Sequence, residues 1–439
     1  MTNLDRRQLL RTATFGTLAL RSVATGIPAS LLLAPRPGRA QSDPLANGPG
    51  RMFVLFTSQS GDPLNANTPG TYGPGAEEVA HPPAATMAPT TLRLNGVEHT
   101  AAKPWADLPQ NILDKTVFFH HATYTPVHND QSKVMRLMGA TDDDEMLISL
   151  FAKDLAAKQG SVQSAPLSLG ARSGSELLTS GGRVLANVSP RSIQRALGDA
   201  TGPLASLHAM RDREIDRIYR IYKDHGTKFD RDLLDAWTRS RDEVRTISDE
   251  LLGRLDSIDG DGQANQVTAA SVLAAMNITP AMTIKGAWGG DNHADTGLTR
   301  EATQTVAGVA AMRRLYESME SLRSQGILRH EVIIGAMNVF GRTLRKKGTA
   351  GRDHNRNHHV TVMMGAGLRG SLIGGIERRG NDYTSRTIDA ETGAAGGNIP
   401  FDETFSSMAK TLGTALGVSS TTLDEGIKKG VPVQAALAS

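Results

Sequence analysis

Between Phe340 and His359 the chain gathers Arg342, Arg345, Lys346, Lys347, Arg352, Asp353, His354, Arg356, His358 and His359 into one polar stretch. Carboxylate oxygen and imidazole nitrogen together make a ligand set for divalent ions, and an arginine fork beside them can clamp a tetrahedral anion through paired N–H bonds. Adjacent Asp353 and His354 on extended backbone point to opposite sides, so two neighbouring ions could each take one. Arg342 is the anion candidate, and it could equally pair with Asp353. Upstream, Asp291-Asn292-His293 sets a carboxylate and an imidazole two residues apart, which places both on one face of an extended segment, able to grip a single ion. His120, His121 and His128 crowd another segment. A histidine at a polar strand end need not touch a metal. Asp62 stands in Gly61-Asp62-Pro63, which is also sound turn chemistry.

Each of these groups follows a short apolar run: Met52–Phe56, Thr116–Phe119, Met282–Ile284 and Val332–Met337, with Val360–Met364 closing the central loop. Such runs read as strands buried on both faces, and a doubly wound α/β sheet carries its chemistry beyond the carboxyl ends of its strands. Pro166–Gly170 reads as a further strand. Helices are expected over Asp142–Ala157, opened by Asp142, Asp143 and Asp144, over Gln304–Leu322 with Val306, Val309, Met312, Leu315, Tyr316 and Met319 inward, and over Phe401–Leu416. Pro203–Leu255 reads as two antiparallel helices, a solvated insertion or a partner-binding hairpin. Residues 67–105 read as a surface excursion or lid, residues 380–400 as loop, and the tail through Ser439 adds little.

The chain of 439 residues has no cysteine, which excludes disulfides, Cys-zinc sites, iron–sulfur clusters and thiol catalysis. Residues 1–40 read as a twin-arginine export signal: Asp5-Arg6-Arg7-Gln8-Leu9-Leu10-Arg11, a mildly apolar stretch broken by Arg21, and a cleavage site after Ala40. Arg21 argues against a stable membrane span. The leader holds six Arg and one Asp, leaving 42 basic and 44 acidic side chains, a balance of −2. The basic character therefore belongs to the leader, and a nucleic-acid partner is not expected. The expected location is periplasmic or secreted, with the twin-arginine machinery as export partner.

Phe340-Gly341-Arg342-Thr343, a Gly-containing spacer, Asp353-His354 and then Val362-Met363-Met364-Gly365-Ala366-Gly367-Leu368-Arg369-Gly370 resemble the domain-of-unknown-function 1501 family, grouped with the alkaline phosphatase and sulfatase superfamily. The resemblance implies an alkaline-phosphatase-like three-layer α/β sandwich with a mostly parallel central sheet over residues 41–439, into which the helical segment at about 203–255 would be inserted. It implies one or two divalent ions, zinc, manganese or calcium, held by Asp62, Asp291, His293, Asp353, His354 and His358. Arg342 would orient an anion and His128 would assist proton transfer. Family members carry Ser where this chain has Val127 and Glu where it has Val339. A hydroxyl nucleophile would then have to come from Thr125, Thr123, Ser132 or Ser58, or water would attack directly. The expected function is metal-dependent hydrolysis of a small phosphate or sulfate ester. The alternative is a non-catalytic protein that binds a cell-envelope component and keeps the hydrolase fold.

Overall fold

The computed structural model describes residues 50–198 and 249–438, apart from positions 162, 173, 287, 289 and 290, together with Arg217 and Arg220. Seven of the described strands form one sheet: β1 Met52–Thr57, β2 Thr116–His121, β3 Leu167–Ser168, β4 Ala281–Lys285, β5 Val332–Ala336, β6 His359–Gly365 and β7 Ser371–Ile373. Their spatial order is β7-β2-β6-β5-β1-β4-β3. All neighbours run parallel except β6, which is antiparallel to both β2 and β5.

The strands are unbroken apolar runs because helices cover both faces. Those helices include α1 Leu147–Gln159, α2 Gln263–Ala275, α3 Thr299–Ser324 and α4 Thr404–Leu416. Period-two alternation then divides each strand between two cores. Phe53 and Leu55 join α1 and α4 on one side, while Met52, Val54 and Phe56 join α2 and α3 on the other. The result is a mixed α/β architecture with helices packed against a large, mostly parallel central sheet. Trp288 shows how closely the second core is packed: a Cβ at Gly308 of α3 would lie 1.6 Å from its indole, so only glycine leaves room for the ring.

Several expectations are corrected. Residues 67–105 are not a lid: Pro89–Leu94 and Val97–Ala102 pair as a hairpin, and Met87, Leu92, Leu94 and Trp105 are buried in the core shared with α3. Asp142–Asp144 does not open a helix. It forms a separate 3-10 turn with Asp143 and Asp144 at φ 49° and 52°, and α1 begins only at Leu147. In α3 the inward stripe runs through positions 301, 305, 308 and 312, so Glu301 and Thr305 are buried while Val306 is 37% exposed. The tail is part of the fold, with Ile427, Val433 and Ala436 fully buried. Residues 380–400 open on an antiparallel hairpin, Ile376–Arg379 with Asp382–Ser385. The export signal and the two-helix insertion lie outside the described residues, except for Arg217, Arg220 and a helix at Asp249–Asp256. Among the described residues no helix is long and apolar enough to cross a membrane.

Topology fixes the place of the polar loops. Strands β1, β2, β4 and β5 all end at one edge of the sheet, and β6, running the other way, begins there. The segments after four strands and the segment before a fifth therefore meet at that edge.

Candidate metal centre

Two backbone devices bring the candidate ligand side chains together. The loop between β5 and β6 folds on itself, pairing Gly341 with Asn355 and Arg342 with His354, so Arg342 and His354 stand on the same face of that ladder. The segment after β4 is laced to the same loop. The Gly351 N–H donates to the His293 carbonyl at 2.8 Å and the Arg352 N–H to that of Asn292 at 3.3 Å. A Cβ at Gly351 would lie 1.9 Å from the Asn292 oxygen, so this crossing requires glycine.

The crossing carries His293 onto Asp353 and His354, whose three ligand atoms lie within 4.8 Å of one another. The His293 and His354 Nε2 atoms are 2.8 Å apart. His293 Nδ1 is 3.7 Å from Asp353 Oδ1, and its Nε2 is 3.4 Å from Asp291 Oδ1. His354 Nδ1 faces the Pro126 carbonyl at 2.5 Å, which places the proton on Nδ1 and leaves the Nε2 lone pair facing the group. His128 is fixed the same way, its Nδ1 donating to the Gln59 carbonyl at 2.7 Å. Its ring meets that of His354 edge-on at 4.7 Å, and Phe340 stacks on His354 at 4.3 Å. Asp353 and His354 do not diverge as extended backbone would have them. The Asp353 carboxylate turns back to accept the His354 N–H at 2.9 Å, so both side chains serve one group.

Electrostatics keep these donors in the form that binds cations. Lys347 and the His354 N–H hold the Asp353 carboxyl below the usual carboxylate range. Burial raises that of Asp291, but the His293 N–H and the Arg342 charge outweigh it and leave it lowered. Burial, reinforced by the Arg342 charge and opposed by the bond to the Pro126 carbonyl, holds His354 below the usual imidazole range. Near neutral pH the carboxylates are thus ionised and His354 is neutral.

Arg342 is fully buried beside this group. Its Nη2 donates to the Ser60 carbonyl at 2.6 Å, and its Nη1 is 3.5 Å from Asp291 Oδ1 and 3.4 Å from His293 Nε2. It therefore pairs with Asp291, while Asp353 pairs with Lys347 at 2.8 Å. Asp62 is also fully buried and joins the Arg342 strand through its backbone. Its Oδ1 accepts the Leu64 N–H at 2.7 Å, whereas its Oδ2 has no partner. Burial pushes this carboxyl up to about 8, with the Leu64 N–H opposing and Glu301 adding to the rise.

His358 is not brought to the group. Its Nδ1 accepts from the Asn65 amide at 3.1 Å and its Nε2 faces His120 Nδ1 at 2.9 Å, so both nitrogens are committed to buried partners. Val339 is buried in the core with Phe340, so its side chain faces apolar packing and not the polar loops. Thr125 donates to Asp130 at 2.6 Å and the Ser58 hydroxyl accepts the Ser60 N–H at 3.2 Å, which turns both hydroxyls to local partners.

Residues 248–390 match the family model described as "Protein of unknown function (DUF1501)". The match supports the DUF1501 domain family. The DUF1501 segment contains Asp291, His293, Arg342, Asp353 and His354, whereas Asp62 and His128 precede it. No curated protein matches the chain.

The DUF1501 segment also holds residues that sequence reasoning passed over. Glu301 and Arg352 form a fully buried two-pronged ion pair at 2.6 and 2.9 Å. Arg352 reaches on to the carbonyls of Thr343, Leu344 and Ala80, and Glu301 accepts from Asn67 and Asn292. This clamp fastens the loop after β4 and the loop between β5 and β6 to the start of α3. Asn65 does related work from outside the segment, donating to the Arg342 carbonyl at 2.9 Å and accepting its N–H at 3.2 Å.

Proposed function

We propose that this protein is an exported, metal-dependent hydrolase of alkaline-phosphatase-like architecture acting on a phosphate or sulfate ester. The observation that carries this reading is the convergence of His293, Asp353 and His354 from two separate loops, with the His354 tautomer preset by a backbone carbonyl, beside a buried arginine. His293, Asp353 and His354 would bind a divalent ion and Asp291 would complete the set. Two imidazoles favour zinc or manganese over calcium, which prefers oxygen ligands. The donors fit with one adjustment. Two nitrogens on a tetrahedral ion stand about 3.3 Å apart, so the rings must part slightly, and His293, 42% exposed, has room to turn. A divalent ion in this place would supply Lewis-acid polarisation of the ester.

The chain's own residues do the rest in this reading. Arg342 orients the anion through its guanidinium N–H groups. His128, with Nδ1 fixed to Gln59, keeps an Nε2 lone pair that can take a proton from attacking water or return one to the leaving oxygen. The twin-arginine leader supports export in the folded state, with the metal already loaded. A second reading, an envelope-binding protein without turnover, is favoured by Val127, which is 48% exposed where the resemblance implies a serine.

Elemental mass spectrometry of the mature protein, purified without chelator, tests the site against an Asp353→Ala/His354→Ala variant. Near-stoichiometric zinc or manganese in the native protein, lost in the variant, together with release of p-nitrophenol from its phosphate or sulfate ester, is the expected result. Metal without turnover on a broad ester panel moves the weight to the binding protein. Absence of metal from both proteins after refilling overturns the hydrolase reading.

A further inference from the structure

His354 opens on a second feature that the metal group does not use, a cleft of about 350 Å³ whose walls include Arg356, Asn357, Arg379, Tyr383 and Thr384. Its charge is unusual in context. Other cations of these loops and strands have carboxylate partners: Arg345 and Arg378 share Glu78, Lys347 pairs with Asp353, and Arg386 with Glu377. Asp382, the carboxylate in the wall, is engaged by the Leu344 and Arg345 N–H groups and by the Asn355 amide. The guanidinium groups of Arg356 and Arg379, by contrast, make no ion pair among the described residues, although both line the cleft. Two exposed arginines without a carboxylate partner, both lining one cleft, suit anionic oxygen through their planar forks. Apart from Pro126 and the Tyr383 ring, the walls offer amides, hydroxyls and charges, which suit a hydroxylated ligand better than an apolar one.

We infer that this cleft holds the non-reacting part of the substrate, and that the substrate is a sugar carrying a second anionic group in addition to the ester at the metal centre. The inference rests on the hydrolase reading for its first anion and on the cleft alone for its second. Arg356 and Arg379 receive the distal anion while Arg342 receives the reacting one. Among the described residues neither Arg356 nor Arg379 hydrogen-bonds or ion-pairs with His293, Asp353 or His354, so their removal leaves that group intact.

The test is calorimetric titration of zinc-refilled protein with glucose 6-phosphate and glucose 1,6-bisphosphate, and with the corresponding mono- and disulfated glucose, in the native protein and an Arg356→Gln/Arg379→Gln variant. The expected result is at least tenfold tighter binding of the doubly charged sugar, lost in the variant, with single-anion binding kept within about twofold. The phosphate and sulfate arms separate the two ester chemistries. Equal affinity for mono- and di-anionic sugars in the native protein, or a preference that survives in the variant, overturns the inference even if esters are hydrolysed. A preference that depends on both arginines in a protein with no ester turnover upholds the cleft and overturns only the hydrolase reading. Circular dichroism of the variant checks that its fold is retained.

Discussion

Asp62 is the residue whose chemistry is most at odds with its surroundings. Its carboxyl is fully buried, one oxygen lacks a partner, and burial lifts it to about 8 from an ordinary 3.8. A group whose folded value lies above its unfolded value contributes stability that is full below 3.8 and is lost as pH rises through about 8. Asp62→Asn cannot ionise, so in chelator its melting temperature is expected to exceed that of the native protein at pH 8 and to converge with it near pH 4. Equal differences at both ends would place the proton elsewhere. His354 makes the opposite kind of prediction, because it is only partly buried and its value lies in its lone pair. His354→Ala is expected to lower zinc affinity by at least about tenfold, measured by competition with a chromogenic chelator, with little change in the melting temperature of the metal-free protein.

At the scale of elements, the buried Glu301–Arg352 pair joins the first turn of α3 to both metal-site loops. Removing one charge leaves the other desolvated, so Glu301→Gln is expected to cost about 3–5 kcal/mol in urea unfolding. It should also weaken metal binding, since positions 292 and 352 lose their common anchor. Gly308→Ala acts on packing instead, forcing a methyl into the Trp288 ring, and should cost about 1–3 kcal/mol. These elements also show what could be read from sequence. The strands were legible because burial on both faces makes them continuous apolar runs, and the Asp353-His354 and Asp291-Asn292-His293 segments were legible because their chemistry is local. Glu301 and Arg352 were not, being 51 positions apart and each resembling a surface charge. The hairpin at Pro89–Ala102 was hidden too, since its first strand exposes alternate residues and sits among prolines and threonines. The direction of Asp353 depended on one hydrogen bond to its neighbour, which no pattern of residue types announces.

Across the whole molecule, the edge that carries the polar loops is joined to the core by a layer of four buried histidines, His120 and His121 at the end of β2, His359 at the start of β6 and His358 just before it. Their bonds run in one direction. Asn65 donates to His358, His358 to His120, and His120 to the Pro69 carbonyl, while His121 bonds Thr361 and the Asn338 N–H donates to His359. Every one of these bonds uses a neutral ring. Burial holds His120 and His121 down to about 4 and keeps His358 and His359 well below the ordinary range. For groups depressed on folding, the contribution to stability is full above the unfolded value near 6.5 and is lost as pH falls toward 4, because the unfolded chain takes up protons first. Each such ring adds about 1.4 kcal/mol per pH unit to the slope, and Asp62 opposes with the contrary sign. Urea unfolding of the metal-free protein between pH 6 and 4.5 is therefore expected to show stability falling with a slope of more than one proton. His121→Gln, which keeps an acceptor for the Thr361 hydroxyl, should flatten that slope by about one proton. A native slope below one proton would mean that these rings titrate inside the folded protein, and that the relay joining Asn65 to Pro69 opens before the sheet does.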